Sequence, residues 1–342
     1  MANLLEAIGN QAMGSSCMNP LVSVIIPTYN RAHSIEPAVR SVLAQTYTAR
    51  GLIIVDDGST DGTTEVLSRF GDAVRVIRQS NAGPSAARNA GVRAARGELV
   101  AFLDSDDEWL PEKLERQVPL MRAADVVLSA TNWRSKDQSE CFINSEKSWE
   151  CDSAPAFVSQ PGGHPTMLSS WLVRRDVLVA LGGFDESLSY GEDNDLLFRL
   201  AFRGRFAVTR EVLLLRQAGL DTVKLSRPGS LNYHRKVARA MCLAVSNARN
   251  LAFGESKLVQ RQFATMYAYY LCREMEFAAL DGNFWAARRR AMEVLMHHPN
   301  ARHALLACVG FIAPSFIRWR TQKKYKLPAG SMLVSSKNSA QA

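Results

Sequence analysis

The sequence contains no long apolar run and no closely spaced pair of cysteines, and its first residues do not have the pattern of a signal peptide. Its 342 residues contain no run of 18 or more apolar residues, which excludes a good membrane-spanning helix. The six cysteines include no Cys-x-x-Cys pair, so we interpret them as reduced thiols of a cytosolic protein and not as a zinc site or a disulfide framework. The segment Met1–Ile8 has no cationic stretch followed by an apolar one, so no signal peptide is expected. These absences favour a cytoplasmic protein.

Glycine-rich nucleotide loops are also missing. The first predicted strand, Val22–Ile26, runs into Pro27–Arg31, which contains no glycine. A dinucleotide-binding fold needs Gly-x-Gly-x-x-Gly at that point, and a nucleotidyltransferase also opens with a glycine-rich loop. No Walker A loop occurs, which argues against a P-loop ATPase. A phosphatase of the haloacid dehalogenase kind needs Asp-x-Asp after its first strand, whereas here that motif follows the fourth.

The first half of the chain alternates strand and helix patterns joined by short connections. The predicted strands are Val22–Ile26, Leu52–Val55, Val74–Ile77 and Leu99–Leu103. The predicted helices are Ser34–Ala44, a segment that begins at Thr60 or Asp61 and ends at Phe70, and Ser85–Ala95. Strands separated by helices pair in parallel, so we predict an α/β fold with a doubly wound, mostly parallel sheet and helices on both faces.

The second half of the chain is less regular. Residues 132–163 are polar and irregular, and we predict a long loop over a site. Periodicity resumes over 169–181 and Asp193–Phe202, and from about residue 231 the pattern is helical. We therefore predict four parts, which are an N-terminal extension (1–19), an α/β domain (20–230), a helical region (231–328) and a disordered tail (329–342).

The net charge of +8 is unevenly distributed along the chain. Residues 231–342 carry +12, whereas residues 1–230 carry −4. Such a basic region suits an anionic surface, either nucleic acid or the cytoplasmic face of a membrane. No nucleic-acid-binding motif accompanies it, so a nucleic-acid partner is not expected. The apolar stretch Ala304–Ile317 precedes five basic residues, and it fits either an interfacial helix on an anionic bilayer or a helical cap on the α/β domain.

The most informative motif is an apolar strand that runs into three carboxylates. Leu99–Leu103 is typical of a strand buried on both faces, and it delivers Asp104, Asp106 and Asp107 to the carboxyl edge of the sheet. Three acids crowded there repel one another unless a cation or its ligand occupies the site. The Asp-x-Asp spacing lets two carboxylates face one hard divalent ion that in turn holds phosphate oxygens. The alternative is helix capping, because Asp107–Pro111 has the pattern of a helix start.

Six motifs follow one another in a fixed order. They are Val22–Arg31 (VSVIIPTYNR), Ser41–Thr46 (SVLAQT), Val55–Thr63 (VDDGSTDGT), Asn81–Gly91 (NAGPSAARNAG), Phe102–Pro111 (FLDSDDEWLP) and Gly182–Glu186 (GGFDE) with the acidic pair Glu192-Asp193. This series resembles glycosyltransferase family 2, the inverting, nucleotide-sugar-dependent enzymes of GT-A fold. The resemblance covers roughly residues 20–216, and it identifies the predicted α/β domain as a catalytic domain with a smaller helical region after it.

The resemblance implies a site for the donor nucleotide. Pro27, Thr28 and Tyr29 would line the nucleobase pocket, with Asp57 or its neighbour Asp56 accepting a hydrogen bond from the base edge. The alternative role of these two acids is turn formation, since Asp-Asp-Gly-Ser is also a good turn. The remaining donor contacts that the resemblance implies are Arg31, Asn81, Arg88, Asp104 and Ser105.

The resemblance also implies a metal ion and a catalytic base. Asp106, together with Asp104, would hold Mg²⁺ or Mn²⁺ against the donor diphosphate, where the ion acts as a Lewis acid on the leaving group. Family members place the base that deprotonates the acceptor hydroxyl at an acidic pair that matches Glu192 and Asp193. The alternative for Asp193 is helix capping, a role that Asp195 can also supply.

The third metal ligand and the acceptor contacts are less defined. Many relatives carry a histidine shortly after a strand near 211–216, whereas this sequence has none there, so His234 or water is left as the third ligand. The acceptor contacts are assigned to His164, which follows two glycines, and to Trp171, for which core packing is the alternative. Trp133 and Trp149 are further candidates for stacking on a sugar.

Two functions therefore stay open. The first is transfer of a sugar from a nucleotide-sugar donor to a hydroxyl of a glycan, lipid-linked or protein acceptor. Uridine is the favoured base of the donor, with dTDP and GDP as alternatives, and the protein would be cytoplasmic or peripheral on the cytoplasmic face of the membrane. The second is a non-catalytic nucleotide-sugar-binding or scaffold protein of the same fold. Asp104, Asp106 and Asp193 are all present, which favours the enzyme.

Overall fold

The fold is built on one mixed sheet. The computed structural model describes residues 19–137, 141–142, 153–159, 167–188, 190–217, 231–297 and 301–324. Within these ranges the sheet contains nine strands, which are β1 (Val22–Thr28), β2 (Arg50–Asp56), β3 (Arg75–Arg78), β4 (Leu99–Phe102), β5 (Glu108–Trp109), β6 (Val126–Ser135), β7 (Cys141–Phe142), β8 (Leu172–Arg174) and β9 (Arg205–Arg216). The α-helices of the same ranges are α1 (Ile35–Leu43), α2 (Thr63–Ser68), α3 (Pro84–Ala94), α4 (Lys113–Gln117), α5 (Ala154–Val158), α6 (Arg175–Ala180), α7 (Glu192–Ala201), α8 (Leu231–Leu251), α9 (Lys257–Leu280), α10 (Phe284–His297), α11 (Ala301–Ile312) and α12 (Pro314–Lys324).

The strands are ordered β3–β2–β1–β4–β8–β6–β9–β5, and β7 pairs with β6. Parallel pairing joins β1 to β2 and β4, β2 to β3, and β6 to β9. β8 is antiparallel to β4 and β6, and so it joins the two parallel groups. The parallel ladders are the longer ones, with four to nine residue pairs against two or three. The predicted α/β fold with a mixed, mostly parallel sheet is confirmed.

Helices cover both faces of the parallel strands. Val24 and Ile26 of β1 belong to a core cluster with Val39 of α1, whereas Ile25 belongs to another cluster with Ala87 of α3. Successive side chains of a strand point to opposite faces of the sheet, and both faces of β1 are buried in apolar clusters. The apolar runs of the sequence are continuous for this reason.

Glycine sets the distance between α3 and the sheet. A Cβ atom placed on Gly91 would lie 2.4 Å from Cγ2 of Ile25, so the helix approaches β1 more closely than any other residue would allow. This approach fixes α3 against the strand whose carboxyl end begins the candidate site.

The predicted helix start at Asp107–Pro111 was wrong. Glu108 and Trp109 form β5, which pairs antiparallel with β9, and α4 begins only at Lys113. Trp109 is buried, and its Nε1 donates a hydrogen bond to the carbonyl oxygen of Ser169 at 2.8 Å. Strand pairing and the burial of one large ring override the local helix pattern, because both depend on residues distant in the sequence.

The predicted loop over residues 132–163 was wrong at its start. Residues 132–135 belong to β6, which pairs with β9 as far as Ser135 and Arg216, and Ala154–Val158 form α5. The partner strand of β6 lies some 80 residues later, so the polar pattern of this segment did not reveal it. The rest of the predicted loop lies outside the described residues.

The described chain after residue 231 is helical, as predicted. Met241 of α8 and Phe263 of α9 belong to the same core cluster as Leu196 and Phe198 of α7. The rings of Phe198 and Phe263 meet edge to face, with centroids 5.8 Å apart. These two helices therefore pack against the α/β part, whereas the choice between a cap and an interfacial helix concerns Ala304–Ile317 and stays a prediction. In the described ranges no helix combines the length and apolar character needed to span a bilayer.

Candidate active site

The loop after β1 is fixed by the turn after β2. The backbone N–H of Asn30, which has a φ of 53°, donates to Oγ of Ser59 at 2.9 Å, and Asn30 Oδ1 accepts from the N–H of Thr60 at 2.8 Å. This leaves the preceding Tyr29 46% exposed at the edge of the sheet, where a planar base can stack on it. The buried hydroxyl of Thr28 has no hydrogen-bond partner among the described residues.

The two acids of the turn after β2 are occupied by protein donors. Oδ1 of Asp56 accepts from the N–H of Ser59 at 2.9 Å, so it serves the turn. The Asp57 carboxylate accepts from the N–H groups of Ala82 at 2.9 Å and Gly83 at 2.8 Å, and from Nε2 of Gln79 at 2.8 Å. Asp57 thereby holds the loop that starts α3. The turn role that the sequence allowed is present, and base recognition by Asp57 stays a prediction.

The three acids after β4 receive fewer protein donors. The backbone N–H of Asp104 donates to Oγ of Ser169 at 3.1 Å, and the Asp107 carboxylate accepts from the N–H of Gln217 at 3.1 Å. Nζ of Lys136 donates to the carbonyl oxygen of Asp106 at 2.9 Å. No described side-chain donor is hydrogen-bonded to the carboxylate of Asp106.

Burial and mutual repulsion raise the pKa values of this cluster. Burial and the neighbouring Asp104 raise the pKa of Asp106, although Arg31 and Lys136 act in the opposite direction. Burial, together with Asp104 and Asp106, raises the pKa of Asp107 to about 7. A cation placed among these carboxylates would relieve the repulsion that Arg31, Lys136 and Arg88 compensate only in part.

The carboxylate oxygens after β4 fit a hard divalent ion that takes only some of its ligands from the protein. Asp104 and Asp106 offer carboxylate oxygens, the ligand type that Mg²⁺ and Mn²⁺ prefer. Among the described side chains, no group of three or more acids, histidines or cysteines is arranged to hold a metal ion. An ion at Asp106 would therefore take its other ligands from phosphate oxygens and water, as Mg²⁺ commonly does.

Arg88 joins the acids after β4 to the acidic pair that begins α7. Its Nη2 donates to Oδ1 of Asp104 at 3.0 Å and its Nη1 to Oε1 of Glu192 at 2.8 Å. The side chain is only 8% exposed, and its Cζ lies 5.5 Å from the centroid of the Phe184 ring. Burial alone would lower the pKa of Arg88, but Asp104 and Glu192 outweigh it and raise the pKa. The guanidinium thus stays charged and holds the two acidic groups together.

Asp193, beside this bridge, keeps one carboxylate oxygen without a partner among the described residues. Its Oδ1 accepts from the backbone N–H and from Nδ2 of Asn194, each at 2.8 Å. Burial raises the pKa of Asp193, Arg88 opposes that rise, and Asp104 adds to it. These effects place Asp193 within electrostatic reach of the Asp104 cluster. Asp195, the third acid of this turn, pairs with Arg199 at 2.7 Å.

The Gly-Gly-Phe-Asp-Glu segment is locked onto α3. Oδ1 of Asn89 accepts from the N–H of Phe184 at 2.9 Å, and Asn89 Nδ2 donates to the Phe184 carbonyl oxygen at 2.9 Å. A Cβ atom on Gly183, whose φ is +74°, would lie 2.4 Å from Asn89 Oδ1. This close contact explains the glycine, and it positions the Phe184 ring beneath Arg88.

The remaining predicted residues are placed as follows. Asn81 is exposed at the start of the α3 loop, and Ser105 is buried within the acidic turn. Trp171 is fully buried in the core, so the structure shows the packing role and offers no ring face to an acceptor. Trp133 lies in β6, with Cζ of Arg216 5.5 Å from its ring. His164, Trp149 and the side chain of His234 lie outside the described residues.

Three residues of the site were not predicted from the sequence, namely Ser169, Lys136 and Phe184. Ser169 contacts Asp104 from a short 3₁₀ helix, Lys136 follows β6, and Phe184 lies under Arg88. Phe184 stands within a motif that was recognised. Ser169 and Lys136 carry no local signal, because each reaches the site only through strand pairing.

Comparisons with known proteins agree with this geometry. The family model described as glycosyl transferase family 2 matches residues 23–182. An uncharacterized glycosyltransferase of Nostoc sp. is 47% identical over 110 residues, which cover 31% of this chain and 34% of that protein. The chain spans between about a third and two thirds of the length of the first curated relatives it matches.

Solved structures share the fold at low sequence identity. The crystal structure of residues 1–349 of S. aureus TarS in complex with UDP has a TM-score of 0.63 and 17% identity, and the match covers 90% of this chain and 91% of that one. The mannosyltransferase PcManGT from Pyrobaculum calidifontis, in complex with GDP-Man and Mn²⁺, has a TM-score of 0.56 and 20% identity over 94% and 91% of the two chains. The fold is of the GT-A type, and residues 23–182, just under half of the chain, match the model of glycosyl transferase family 2.

Proposed function

We propose that this protein is an inverting glycosyltransferase that moves a sugar from a nucleotide-sugar donor to a hydroxyl group of an acceptor. The observation that carries the proposal is the bridge of Arg88 between Asp104 and Glu192. That bridge holds the Asp-x-Asp turn, a site for a metal-bound diphosphate, beside the acidic pair that supplies a base. The site for the donor diphosphate and the base for the acceptor hydroxyl would thus lie side by side at one edge of the sheet.

The donor end follows from the loops after β1 and β2. Tyr29 offers an exposed ring to the nucleobase. Asp104 would face the ribose, with Arg31 close enough to Asp106 to influence its pKa. We propose a UDP-sugar as donor. The complexes of similar fold hold UDP in one case and GDP-Man in the other, so the base is the part that the experiment must decide.

A metal ion at Asp106 would stabilise the negative charge that develops on the departing nucleoside diphosphate. The residues of the chain supply the rest. Asp106 and Asp104 provide oxygen ligands, and Arg31 and Lys136 add positive charge near Asp106. The solved PcManGT complex contains Mn²⁺, which supports a divalent cofactor here, either Mg²⁺ or Mn²⁺.

Asp193 would act as the base. Its free carboxylate oxygen takes the proton of the acceptor hydroxyl while that oxygen forms a bond to the anomeric carbon. The bond from this carbon to the diphosphate breaks, and its electron pair leaves with the nucleoside diphosphate. A single displacement of this kind inverts the anomeric centre. Burial raises the pKa of Asp193, and a carboxylate with a raised pKa is a stronger base.

A panel of donors separates an enzyme from a scaffold of the same fold. The full chain is incubated with UDP-, dTDP- and GDP-sugars and Mn²⁺, without acceptor, and release of the nucleoside diphosphate is measured. We expect slow hydrolysis of one donor class that stops in excess EDTA. Tight binding of a donor with no release, in the presence of either metal, would favour the non-catalytic alternative.

We also propose that α11 and α12 rest on an anionic membrane at its cytoplasmic face. Leu305, Ile312, Phe316 and Trp319 are 49–75% exposed, and Nζ of Lys323 lies 5.5 Å from the Trp319 ring. Apolar side chains next to lysine and arginine suit the interfacial layer of a bilayer. Flotation with phosphatidylglycerol vesicles tests this, and loss of binding is expected for the variant Ile312→Ser/Trp319→Ser. Equal flotation of the variant and the parent chain contradicts the proposal.

A further inference from the structure

Two cavities lie along α8, outside the acidic cluster. The first has a volume of about 570 Å³ and is lined by residues of α8, α9 and α10 and by the segment before α7. The second, of about 610 Å³, is lined by the last turns of α8 and by the start of α9. Tyr267 lines the first cavity and Arg249 lines the second, and Cζ of Arg249 lies 4.7 Å from the Tyr267 ring. The cavities are therefore neighbours, and together we name them the α8 groove.

One end of the α8 groove adjoins the proposed base. Tyr190, three residues before Asp193, lines the first cavity. The intervening Gly191 packs on α8, because a Cβ atom placed there would lie 3.3 Å from Sδ of Met241 and 3.8 Å from Cβ of Ala240. Ala240 also lines the cavity. An acceptor seated in the groove would thus begin next to Asp193.

The groove is strongly basic. Its described lining contains six cationic side chains and one acidic side chain. The acid is Glu274, which pairs with Arg290 at 2.6 Å. The six cations are Lys236, Arg239, Arg249, Lys257, Arg261 and Arg290. Lys236, Arg239, Lys257 and Arg261 are exposed, and none of the four forms a salt bridge with a described residue.

The cations are spread along the groove. On α8 the lining residues recur every three or four positions, from Lys236 and Arg239 through Leu243 and Ser246 to Arg249, so they form one stripe. With a rise of 1.5 Å per residue, Lys236 and Arg249 are about 20 Å apart along the helix. A single phosphate or carboxylate would contact only the cations at one point of the groove. An extended chain with repeated negative charges could contact the cations along its whole length.

We propose that the α8 groove binds the acceptor, and that this acceptor is an extended polyanionic chain such as a phosphodiester-linked or uronic-acid-containing glycan. The hydroxyl that receives the sugar lies at the Tyr190 end, and the charged repeats run along α8 towards Phe253. The orientation rests on the proposed function, because it takes Asp193 as the base. The binding of the chain is independent of that function.

Equilibrium binding tests the groove without any donor. The probes are fluorescein-labelled glycerol-phosphate oligomers of two and eight units, an oligogalacturonate of eight units, and a neutral dextran oligomer. Three double variants of the full chain are compared with the parent. Lys236→Gln/Arg239→Gln acts at the first cavity, Lys257→Gln/Arg261→Gln acts at the second, and the matched control Arg69→Gln/Arg93→Gln removes two exposed cations elsewhere.

We expect the parent chain to bind at least one of the eight-unit anions more tightly than dextran, with an affinity that falls as salt is added. Each groove variant should weaken that binding at least about tenfold, and the control should leave it unchanged. The two-unit oligomer should respond to the first-cavity variant alone, because it is too short to reach the second. The comparison of phosphate and uronate oligomers identifies the anion.

Three results would overturn the proposal. One is equal affinity for dextran and for both polyanions, and another is an equal loss in the control variant. The third is tighter binding to single-stranded RNA of eight nucleotides, or to phosphatidylglycerol vesicles with no binding of either oligomer, which would assign the cations to another partner. If donor hydrolysis is absent but the groove variants behave as expected, the proposed function fails and the groove stands.

Discussion

Two acidic turns end at the same edge of the sheet, and the protein treats them differently. After β2, the Asp57 carboxylate receives three hydrogen bonds, two of them from the N–H groups that lead into α3. After β4, Asp106 and Asp107 are crowded against Asp104, and their pKa values are raised by burial and by repulsion. The first turn is complete without a ligand and stabilises the fold. The second is left short of positive charge, as a cation site requires.

The largest expected effect comes from removing charge at the second turn. Asp106→Asn should lower the rate of donor turnover by more than about a thousandfold, since the ion that stabilises the leaving diphosphate loses its main protein ligand. The melting temperature should be unchanged or higher, because repulsion with Asp104 disappears. Release of nucleoside diphosphate and thermal unfolding are the two measurements. Full activity of the parent enzyme in excess EDTA would contradict the assignment.

Asp193→Asn tests the base beside the same cluster. Transfer should fall about a hundred- to ten-thousandfold, the range usual for loss of a general base, while the affinity for UDP stays nearly the same. The second carboxylate oxygen of Asp193 accepts no hydrogen bond from a described residue. Replacing it with an amide nitrogen should therefore leave the loops of the proposed nucleotide site in place. Titration calorimetry with UDP provides the control. A loss of nucleotide affinity as large as the loss of rate would assign Asp193 to donor binding.

Asp57→Asn should lower the stability of the fold, whereas Asp106→Asn should lower the rate of donor turnover. The amide replaces one acceptor oxygen with a donor that faces the N–H groups of Ala82 and Gly83, so buried donors lose their partners. We expect the free energy of unfolding to fall by about 1–3 kcal/mol. Urea denaturation measures it, with Asp72→Asn as an exposed control. An unchanged stability would mean that Asp57 is kept for the ligand and not for the loop.

The smallest effect is a pH dependence of stability. Asp107 has a pKa of about 7 in the folded chain, above the value of an unfolded aspartate, so between pH 4 and pH 7 the folded state binds more protons. Its contribution to stability is therefore fully present below about pH 4 and is lost as the pH rises through 7. Urea unfolding in EDTA at pH 5 and pH 8 should show a smaller drop for Asp107→Asn than for the parent. If the stability of the variant and of the parent fell equally between pH 5 and pH 8, Asp107 would not be the cause of the pH dependence.

Local patterns predicted the strands before residue 103 well and the later strands poorly. Strands β1, β2 and β4 are buried on both faces, so each contains an apolar run that can be recognised alone. β5, β6 and β8 acquire their conformation from partners far along the chain, such as Leu214 opposite Trp109. The same distinction separates Asp104 and Asp106, which a motif revealed, from Ser169 and Lys136, which strand pairing brought to them.

The sequence by itself determined the order of the loops that follow β1, β2 and β4, the acids at the strand ends and the basic charge after residue 231, because these features depend on local residue order and composition. The tertiary structure alone decided which acids are occupied by protein donors and which remain free for a ligand. It also decided that α8 lies against Gly191, so that the basic residues of the helical region line a groove beginning beside Asp193. Hydrogen-bond partners and burial are properties of residues that meet only after folding, and so no local pattern encodes them.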